Sequence, residues 1–160
     1  LSLAPAFDLF SEREKLKNAE YTQYSFFKMP FLKNPENDNL QKTLDFFAEI
    51  PNEEKVFVGT SDTSRVFVNN IVLPFLLTQK PATKYHELHT GIVTTAPVQN
   101  EMIDEMRDVD WAVMWDKFLC EDNKSCVSTG VFLFDDFFQA NFEPVVAFGK
   151  YRIFQRKKES

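Results

Sequence analysis

Two histidines three residues apart are the first candidates for chemistry in this chain. His86 and His89 flank Glu87 and Leu88, and an imidazole titrates near neutral pH, so the pair has the chemistry of an acid–base or metal-binding site. The spacing differs from the i,i+4 pair of zinc hydrolases, and the sequence offers no evident third ligand. On a strand the two side chains would point to opposite faces. We therefore favour hydrogen bonding within a loop, keep both histidines as ligand-binding candidates, and predict no metal site.

A polar loop with a single glycine follows the apolar run Val56–Val58. After Gly59 the sequence reads TSDTSR, which is typical of a strand–loop–helix whose backbone N–H groups bind an anion. One glycine matches neither the dinucleotide nor the P-loop pattern, and Asp62 would repel phosphate. Helix capping by Asp62 or Ser64 is therefore the favoured interpretation. For a bound ligand, neutral sugar hydroxyls would suit these side chains best, and the candidate residues are Ser61, Asp62 and Arg65.

Two asparagines lie inside the apolar segment that follows. Burial of an unpaired amide costs about 1–3 kcal/mol, so we expect Asn69 or Asn70 to bond to the histidine loop or to backbone carbonyls, and both stay ligand-binding candidates. Thr94, Thr95 and Gln99 are predicted to be capping residues rather than ligands. Because no Ser–His–Asp or Cys–His set can be assembled, we assign no catalytic residue and no cofactor.

The chain has two cysteines, Cys120 and Cys126, separated by a polar turn. This spacing favours a disulfide that closes a small loop in an oxidising compartment, with two unlinked thiols as the alternative. Two cysteines alone do not supply the ligands of a structural zinc site.

Alternating apolar segments indicate the elements that would position these residues. Helices are predicted over 40–50, with Asp38 or Asn39 as the cap, and over 66–77, with an interruption at Pro74. Two more are predicted, one from Thr94–Thr95 onward and one over 130–142 with Asp135, Asp136 and Gln139 facing solvent. Strands are predicted at 55–58, 82–88 and 111–115, followed by a hairpin that turns at Gly149–Lys150. The pattern predicts an α/β fold, a three-layer sandwich with a mostly parallel sheet and a C-terminal antiparallel hairpin. In such sheets ligands bind beyond the carboxyl ends of the strands.

The length of 160 residues indicates one domain. We divide the chain into a connector over 1–38 that lies across the domain, the α/β domain over 39–157 and a charged tail over 158–160. Since the chain begins at Leu1 with no signal peptide, we expect it to be a piece of a larger protein.

Composition excludes several classes of partner. The net charge of −6 argues against binding to nucleic acid, which needs a basic surface. No run of residues approaches the ~18–20 apolar residues that span a membrane. The 18 phenylalanines predict an aromatic core or an apolar docking face.

Three separated blocks of the sequence resemble a known class of membrane protein. They read VFVGTSDTSRVFVNN, ATKYHELHTGIVTTAPVQNEMIDEM and LFDDFFQANFEPVVAFGKYRIFQRK. Together they are similar to the C-terminal soluble part of bacterial multi-span membrane glycosyltransferase-like proteins of the dolichyl-phosphate-mannose–protein mannosyltransferase type. The resemblance covers about residues 40–157.

The resemblance implies a function and a location. The domain would be non-catalytic, tethered to the membrane on its extracytoplasmic side, and would shape access of donor or acceptor to an active site elsewhere in the parent protein. Its partners would be the transmembrane part of its own chain and a carbohydrate or lipid-linked sugar. The alternative is a module that binds a small carbohydrate or polyol and has no enzymatic partner.

Overall fold

The predicted α/β fold is confirmed by a computed structural model, which describes residues 21–22, 31–32, 34–65, 70, 72–85, 92–115 and 127–158. Within these residues the helices are α1 (Pro35–Ala48), α2 (Val72–Leu76), α3 (Ala96–Glu105) and α4 (Leu133–Asn141). The strands are β1 (Tyr21–Thr22), β2 (Phe31–Leu32), β3 (Lys55–Gly59), β4 (Lys80–Pro81), β5 (Trp111–Trp115), β6 (Phe142–Phe148) and β7 (Tyr151–Arg156). Strands β1 and β2 pair with each other, apart from the main sheet.

The main sheet has five strands in the order β4-β3-β5-β7-β6. Strand β3 is parallel to both β4 and β5, whereas β7 is antiparallel to both β5 and β6. The sheet therefore combines a parallel part with the predicted C-terminal hairpin. The hairpin turns at Gly149, whose φ of 58° suits glycine because other residues rarely adopt it.

The sheet is covered on both faces, which makes the fold a three-layer sandwich. Successive side chains of a strand point to opposite faces, so Val113 and Trp115 face one layer of helices while Ala112 and Met114 face the other. One core contains α1 and α2 side chains and includes Leu44, Phe47, Ile50, Val56, Val58, Leu73, Val113, Trp115, Tyr151 and Ile153. The other contains α3 and α4 side chains and includes Phe57, Met102, Met106, Ala112, Met114, Phe134, Phe138 and Phe142.

Helix α1 begins earlier than predicted, inside the segment assigned to the connector. The prediction that Asp38 or Asn39 caps it is wrong, because Asn34 is the N-cap and its side-chain oxygen accepts a hydrogen bond from the Asn37 N–H at 2.8 Å. Pro35 follows at the first helical position, where its missing N–H costs nothing. Asn34 and Pro35, a pair that is also common in turns, therefore start this helix.

The second predicted strand is also misplaced. The strand next to β3 is Lys80–Pro81, and residues 82–85 of the predicted range 82–88 are not in a strand, while residues 86–88 lie outside the described part of the chain. It is an edge strand, and Pro81 is tolerated there because its outer side needs no N–H donor. In α2, Pro74 lies in the first turn, where the N–H that proline lacks has no partner within the helix. Of the helix predicted over 66–77, residues 66–69 and 71 lie outside the described part of the chain.

The carboxyl ends of β3 and β5 lie next to each other in the sheet, because the two strands pair in parallel. In the described part of the chain the next helix after β3 is α2, which packs on the α1 face, and the next helix after β5 is α4, on the opposite face. Adjacent parallel strands whose following helices separate in this way mark the place where open α/β sheets bind ligands. None of the described helices combines the length and apolar character that a membrane crossing requires.

Candidate functional site

A cleft of about 280 Å³ lies between α4 and the face of the sheet that this helix covers. We call it the α4 cleft, and it is lined by Ser61, Met114, Asp135, Phe138, Gln139, Phe142, Pro144, Arg152 and Phe154. Ser61 comes from the loop after β3 and Met114 from the end of β5, while α4 forms one wall and the β6–β7 hairpin the other. Its volume of about 280 Å³ is just below the range of about 300–1,000 Å³ that is usual for ligand-binding pockets.

Aromatic rings form the apolar part of the cleft. Phe138 and Phe142 stack with their ring centroids 4.6 Å apart and their planes within 3° of parallel. Phe154 meets Phe138 edge to face at 5.1 Å. Phe138 and Phe142 are buried, whereas Phe154 is half-buried and lies at the surface of the cleft. The rings hold one another in place, so this side of the cleft is preformed.

Asp135 is the most unusual polar group in the cleft. The prediction that it faces solvent is wrong, because only 8% of its surface is exposed. Its Oδ1 accepts hydrogen bonds from the Thr63 N–H and the Thr63 hydroxyl, both at 3.0 Å, and its Oδ2 lies 3.2 Å from the same N–H. Its neighbour Asp136 is exposed as predicted.

Burial raises the pKa of Asp135 to about 6. The two hydrogen bonds from Thr63 favour the ionised carboxylate and act in the opposite direction, while the nearby carboxylates of Asp62 and Asp136 raise the pKa further. The desolvation of the carboxylate outweighs the hydrogen bonds. Asp135 therefore changes charge in the mildly acidic range rather than near pH 4.

Arg152 lies on β7, and its side chain is on the face of the sheet that α4 covers. It is the residue of β7 that pairs with Met114 of β5, so both side chains point to the α4 face. The guanidinium carbon is 5.9 Å from the centroid of the Phe154 ring, within the range of a cation–π contact. Arg152 is half-buried, and it is the cationic side chain among the described residues that line the cleft.

The loop after β3, residues 60–65, is held in shape by its own side chains. Asp62 Oδ1 accepts hydrogen bonds from the Ser64 N–H at 3.0 Å and the Ser64 hydroxyl at 2.6 Å, and Asp62 Oδ2 pairs with Arg65 at 2.8 Å. At the start of the loop, Gly59 leaves room for the Phe57 ring, which a β-carbon there would overlap. Asp62 thus closes a turn over Ser64 and pairs with Arg65. The residues that directly follow this loop, 66–69, lie outside the described part of the chain, so helix capping by Asp62 or Ser64 stays a prediction.

Gln99 joins this loop to both helices on the α4 face. It is fully buried in α3, and its Nε2 donates to the Thr63 carbonyl at 3.2 Å and the Val131 carbonyl at 3.0 Å. Its Oε1 accepts from the Phe134 N–H at 3.1 Å, at the start of α4. Gln99 therefore caps the first turn of α4 from a buried position in α3 and connects this turn to the loop after β3.

The structure assigns different positions to the residues predicted from sequence. Ser61 lines the α4 cleft, whereas Asp62 and Arg65 are engaged within the loop. Asn70 lies at the start of α2, where its Oδ1 accepts from the Val72 and Leu73 N–H groups and its Nδ2 donates to the Tyr151 hydroxyl at 3.3 Å. The predictions for Asn69, His86 and His89 and for the Cys120–Cys126 disulfide fall outside the described residues.

Sequence reasoning missed the polar residues contributed by α4 and β7. Asp135 follows Phe134 and precedes Phe138 by three positions, so it borders the apolar stripe of its helix and not the middle of the polar face. Gln139 follows it by one turn. For Arg152 the signal was its place in the short alternating strand YRIF, one position away from buried residues on each side.

The polar groups of the cleft can form hydrogen bonds with a ligand. Within the described part of the chain, no group of three histidine, cysteine or acidic side chains is placed to hold a metal ion. The cleft instead combines a hydroxyl, a carboxyl, an amide and a guanidinium with an aromatic surface. These groups include donors and acceptors of several geometries.

Comparisons with known proteins identify no relative: no protein-family model, curated protein or solved structure matches the chain.

Proposed function

We propose that this domain is a non-catalytic module that binds a carbohydrate-type ligand in the α4 cleft. The observation that carries the proposal is the combination of an aromatic surface and four polar side chains in one cleft, which reaches the carboxyl ends of the parallel strands at Ser61 and Met114. Ligand pockets are expected there in open α/β sheets.

The chemistry of the lining favours a polyhydroxylated ligand. A sugar ring presents C–H groups that pack on an aromatic surface such as Phe154, and hydroxyls that both donate and accept hydrogen bonds. Ser61 and Gln139 are exposed and match this dual requirement. A volume of about 280 Å³ suits one sugar ring rather than an oligosaccharide.

The biological setting that we propose comes from the sequence resemblance. The domain would lie on the extracytoplasmic side of a membrane glycosyltransferase-like protein, next to the transmembrane part of its own chain. There, binding of a sugar in the cleft would shape access of donor or acceptor to an active site outside this domain. The coding sequence upstream of Leu1 tests this setting. Several apolar membrane-spanning segments encoded there would support it, and a start codon directly before Leu1 would contradict it.

Binding itself is testable by NMR titration of the 160-residue chain. A neutral monosaccharide such as methyl glucopyranoside is expected to shift backbone amides around Ser61, Asp135 and Gln139. Gln139→Trp fills the cleft and is expected to weaken binding about tenfold or more. Ala140→Trp adds the same bulk at an exposed neighbouring position that does not line the cleft, so its affinity should stay unchanged. The proposal is contradicted if the sugar causes no amide shifts in the wild-type chain, or if Gln139→Trp leaves the shifts and the affinity unchanged.

A further inference from the structure

The carboxyl of Asp135 lines the α4 cleft and can accept more hydrogen bonds than the protein gives it. Its Oδ1 accepts from the N–H and the hydroxyl of Thr63, both at 3.0 Å, whereas Oδ2 shares only the same N–H, at 3.2 Å. A carboxylate has about four lone-pair positions. Among the described residues no other group donates to this carboxyl, so Oδ2 has room for a further donor.

The charged groups around this carboxyl are mostly negative. Asp62 in the loop after β3 and Asp136 in α4 both raise its pKa, while Arg65 pairs with Asp62 at 2.8 Å. Arg152 lies on the sheet side of the cleft, and α3 contributes the neutral Gln99. Within the described part of the chain, no cation forms an ion pair with the carboxyl. Burial and the two negative neighbours raise its pKa to about 6, so its neutral and charged forms coexist in the mildly acidic range.

A neutral hydroxyl donor complements this carboxyl. An O–H group donates to a carboxylate in a charge-assisted hydrogen bond, which is roughly twice as strong as a bond between neutral groups. Because a sugar hydroxyl carries no charge, the carboxylates of Asp62 and Asp136 do not repel it. Gln139 lies one helical turn after Asp135 and also lines the cleft. The two side chains therefore present a carboxyl and an amide to neighbouring hydroxyls of one ring.

We propose that Asp135 determines specificity in the α4 cleft by accepting a hydrogen bond from a hydroxyl of a neutral sugar, and that the sugar binds the carboxylate and displaces the proton of the neutral acid. The O–H bond of the acid breaks, its electron pair stays on the carboxyl oxygen, and the proton passes to water or buffer. No other reactant takes part. This inference rests on the proposed function and adds to it a residue that determines specificity and a dependence on pH.

Binding of a neutral sugar should therefore strengthen as the pH rises. A ligand that prefers the carboxylate binds more tightly above the pKa of the free domain, about 6, than below it. One charge-assisted hydrogen bond corresponds to a preference of about tenfold for the carboxylate over the neutral acid. The affinity should then rise about threefold from about pH 5.5 to about pH 7.5, and binding at about pH 5.5 should release about half a proton.

Two measurements on the full 160-residue chain test this, with methyl glucopyranoside as the probe. NMR titrations at about pH 5.5 and about pH 7.5 give the two affinities. Calorimetric titrations at the lower pH, in two buffers with different heats of ionisation, give the number of protons that binding releases. Both measurements use the wild-type chain and so do not depend on the folding of a variant.

Substitution tests the assignment to Asp135. Asparagine resembles the neutral acid in shape and carries no charge, so Asp135→Asn should bind the sugar about tenfold more weakly than wild type at about pH 7.5. Its affinity should not change with pH, and binding should release no proton. Asp136→Asn is the matched control, because it makes the same change at an exposed neighbour that does not line the cleft. It should keep the pH dependence, displaced to slightly lower pH, because the Asp136 carboxylate no longer raises the pKa of Asp135.

The outcomes separate the two proposals. If the sugar binds wild type with an affinity that does not rise with pH, or binds at the lower pH without releasing a proton, the inference about Asp135 is wrong and carbohydrate binding stands. A pH dependence that persists in Asp135→Asn also overturns the inference. If methyl glucopyranoside shifts no amide of the wild-type cleft at either pH, both proposals are wrong.

Discussion

Replacement of Asp135 by asparagine tests the burial of this carboxyl through the pH dependence of stability. The pKa of Asp135 in the folded chain is about 6, compared with an ordinary value of 3.8. A group whose folded-state pKa is raised contributes stability that is fully present below its unfolded pKa and is lost as the pH rises through the folded pKa. Wild-type stability should therefore fall, relative to Asp135→Asn, between about pH 4 and pH 6.

The magnitude follows from the difference between the two pKa values. Each unit corresponds to about 1.4 kcal/mol, so ionised Asp135 costs the folded state about 3 kcal/mol in total. About 2 kcal/mol of this cost develops between about pH 4.5 and pH 7.5, because the unfolded chain is already largely ionised at the lower pH. Asparagine keeps an oxygen that can accept the hydrogen bonds from Thr63 but carries no charge.

The assay is urea unfolding at a series of pH values, followed by the fluorescence of Trp111 and Trp115. Both tryptophans lie in β5, at the centre of the sheet, so they report on the unfolding of the domain. The difference in unfolding free energy between wild type and Asp135→Asn cancels the titration of the other acidic groups.

Asp136→Asn is the control, since it makes the same chemical change at the exposed neighbouring position. The Asp135→Asn difference should shift by about 2 kcal/mol across the pH range while the Asp136→Asn difference changes much less. A flat profile for Asp135→Asn would show that the carboxyl is solvated, and the reasoning from its burial would be wrong.

Two further substitutions test the parts that hold the cleft in place. Gln99→Leu should lower the unfolding free energy by about 3 kcal/mol or more, because three buried backbone groups lose their partner; Asn100→Leu, at the exposed neighbouring position, should change it by only about 0.5 kcal/mol. Gly149→Ala should cost more than Gly130→Ala in urea unfolding, because both glycines have positive φ but only at Gly149 would the new β-carbon overlap the Asn39 side chain. Equal losses of unfolding free energy at the two glycines would contradict the overlap with the Asn39 side chain. A loss well below about 3 kcal/mol for Gln99→Leu would contradict the role of its hydrogen bonds in holding the loop and α4 together.

The elements that were predicted correctly are those whose pattern is local. The apolar run of β5, the helical stripes of α1 and α4 and the glycine of the β6–β7 turn are visible within a few residues of sequence. Periodicity of burial and the conformational needs of a turn depend on the backbone nearby. The same holds for the α/β class, since alternation of strands and helices is a property of the chain order.

The errors arose where one segment depends on another that is distant in sequence. Pairing with Lys55 and Val56 places β4 at Lys80–Pro81, although the more apolar residues follow it. The sequences around Asn34 and around Pro74 are each compatible with several local structures, and packing against the rest of the domain selects one of them.

The class of fold and most of its elements can be predicted from the sequence, because their signals are periodic and local. Which polar residues form the cleft depends on contacts between distant segments, and the sequence pattern does not reveal them. Asp135 accepts its hydrogen bonds from Thr63, which is 72 residues away in sequence. Arg152 is on the cleft face of the sheet because of the register in which β7 pairs with β5. Both are set by contacts between segments that no spacing rule connects, and so an aspartate that has the pattern of a solvated helix face becomes the buried carboxyl of the candidate site.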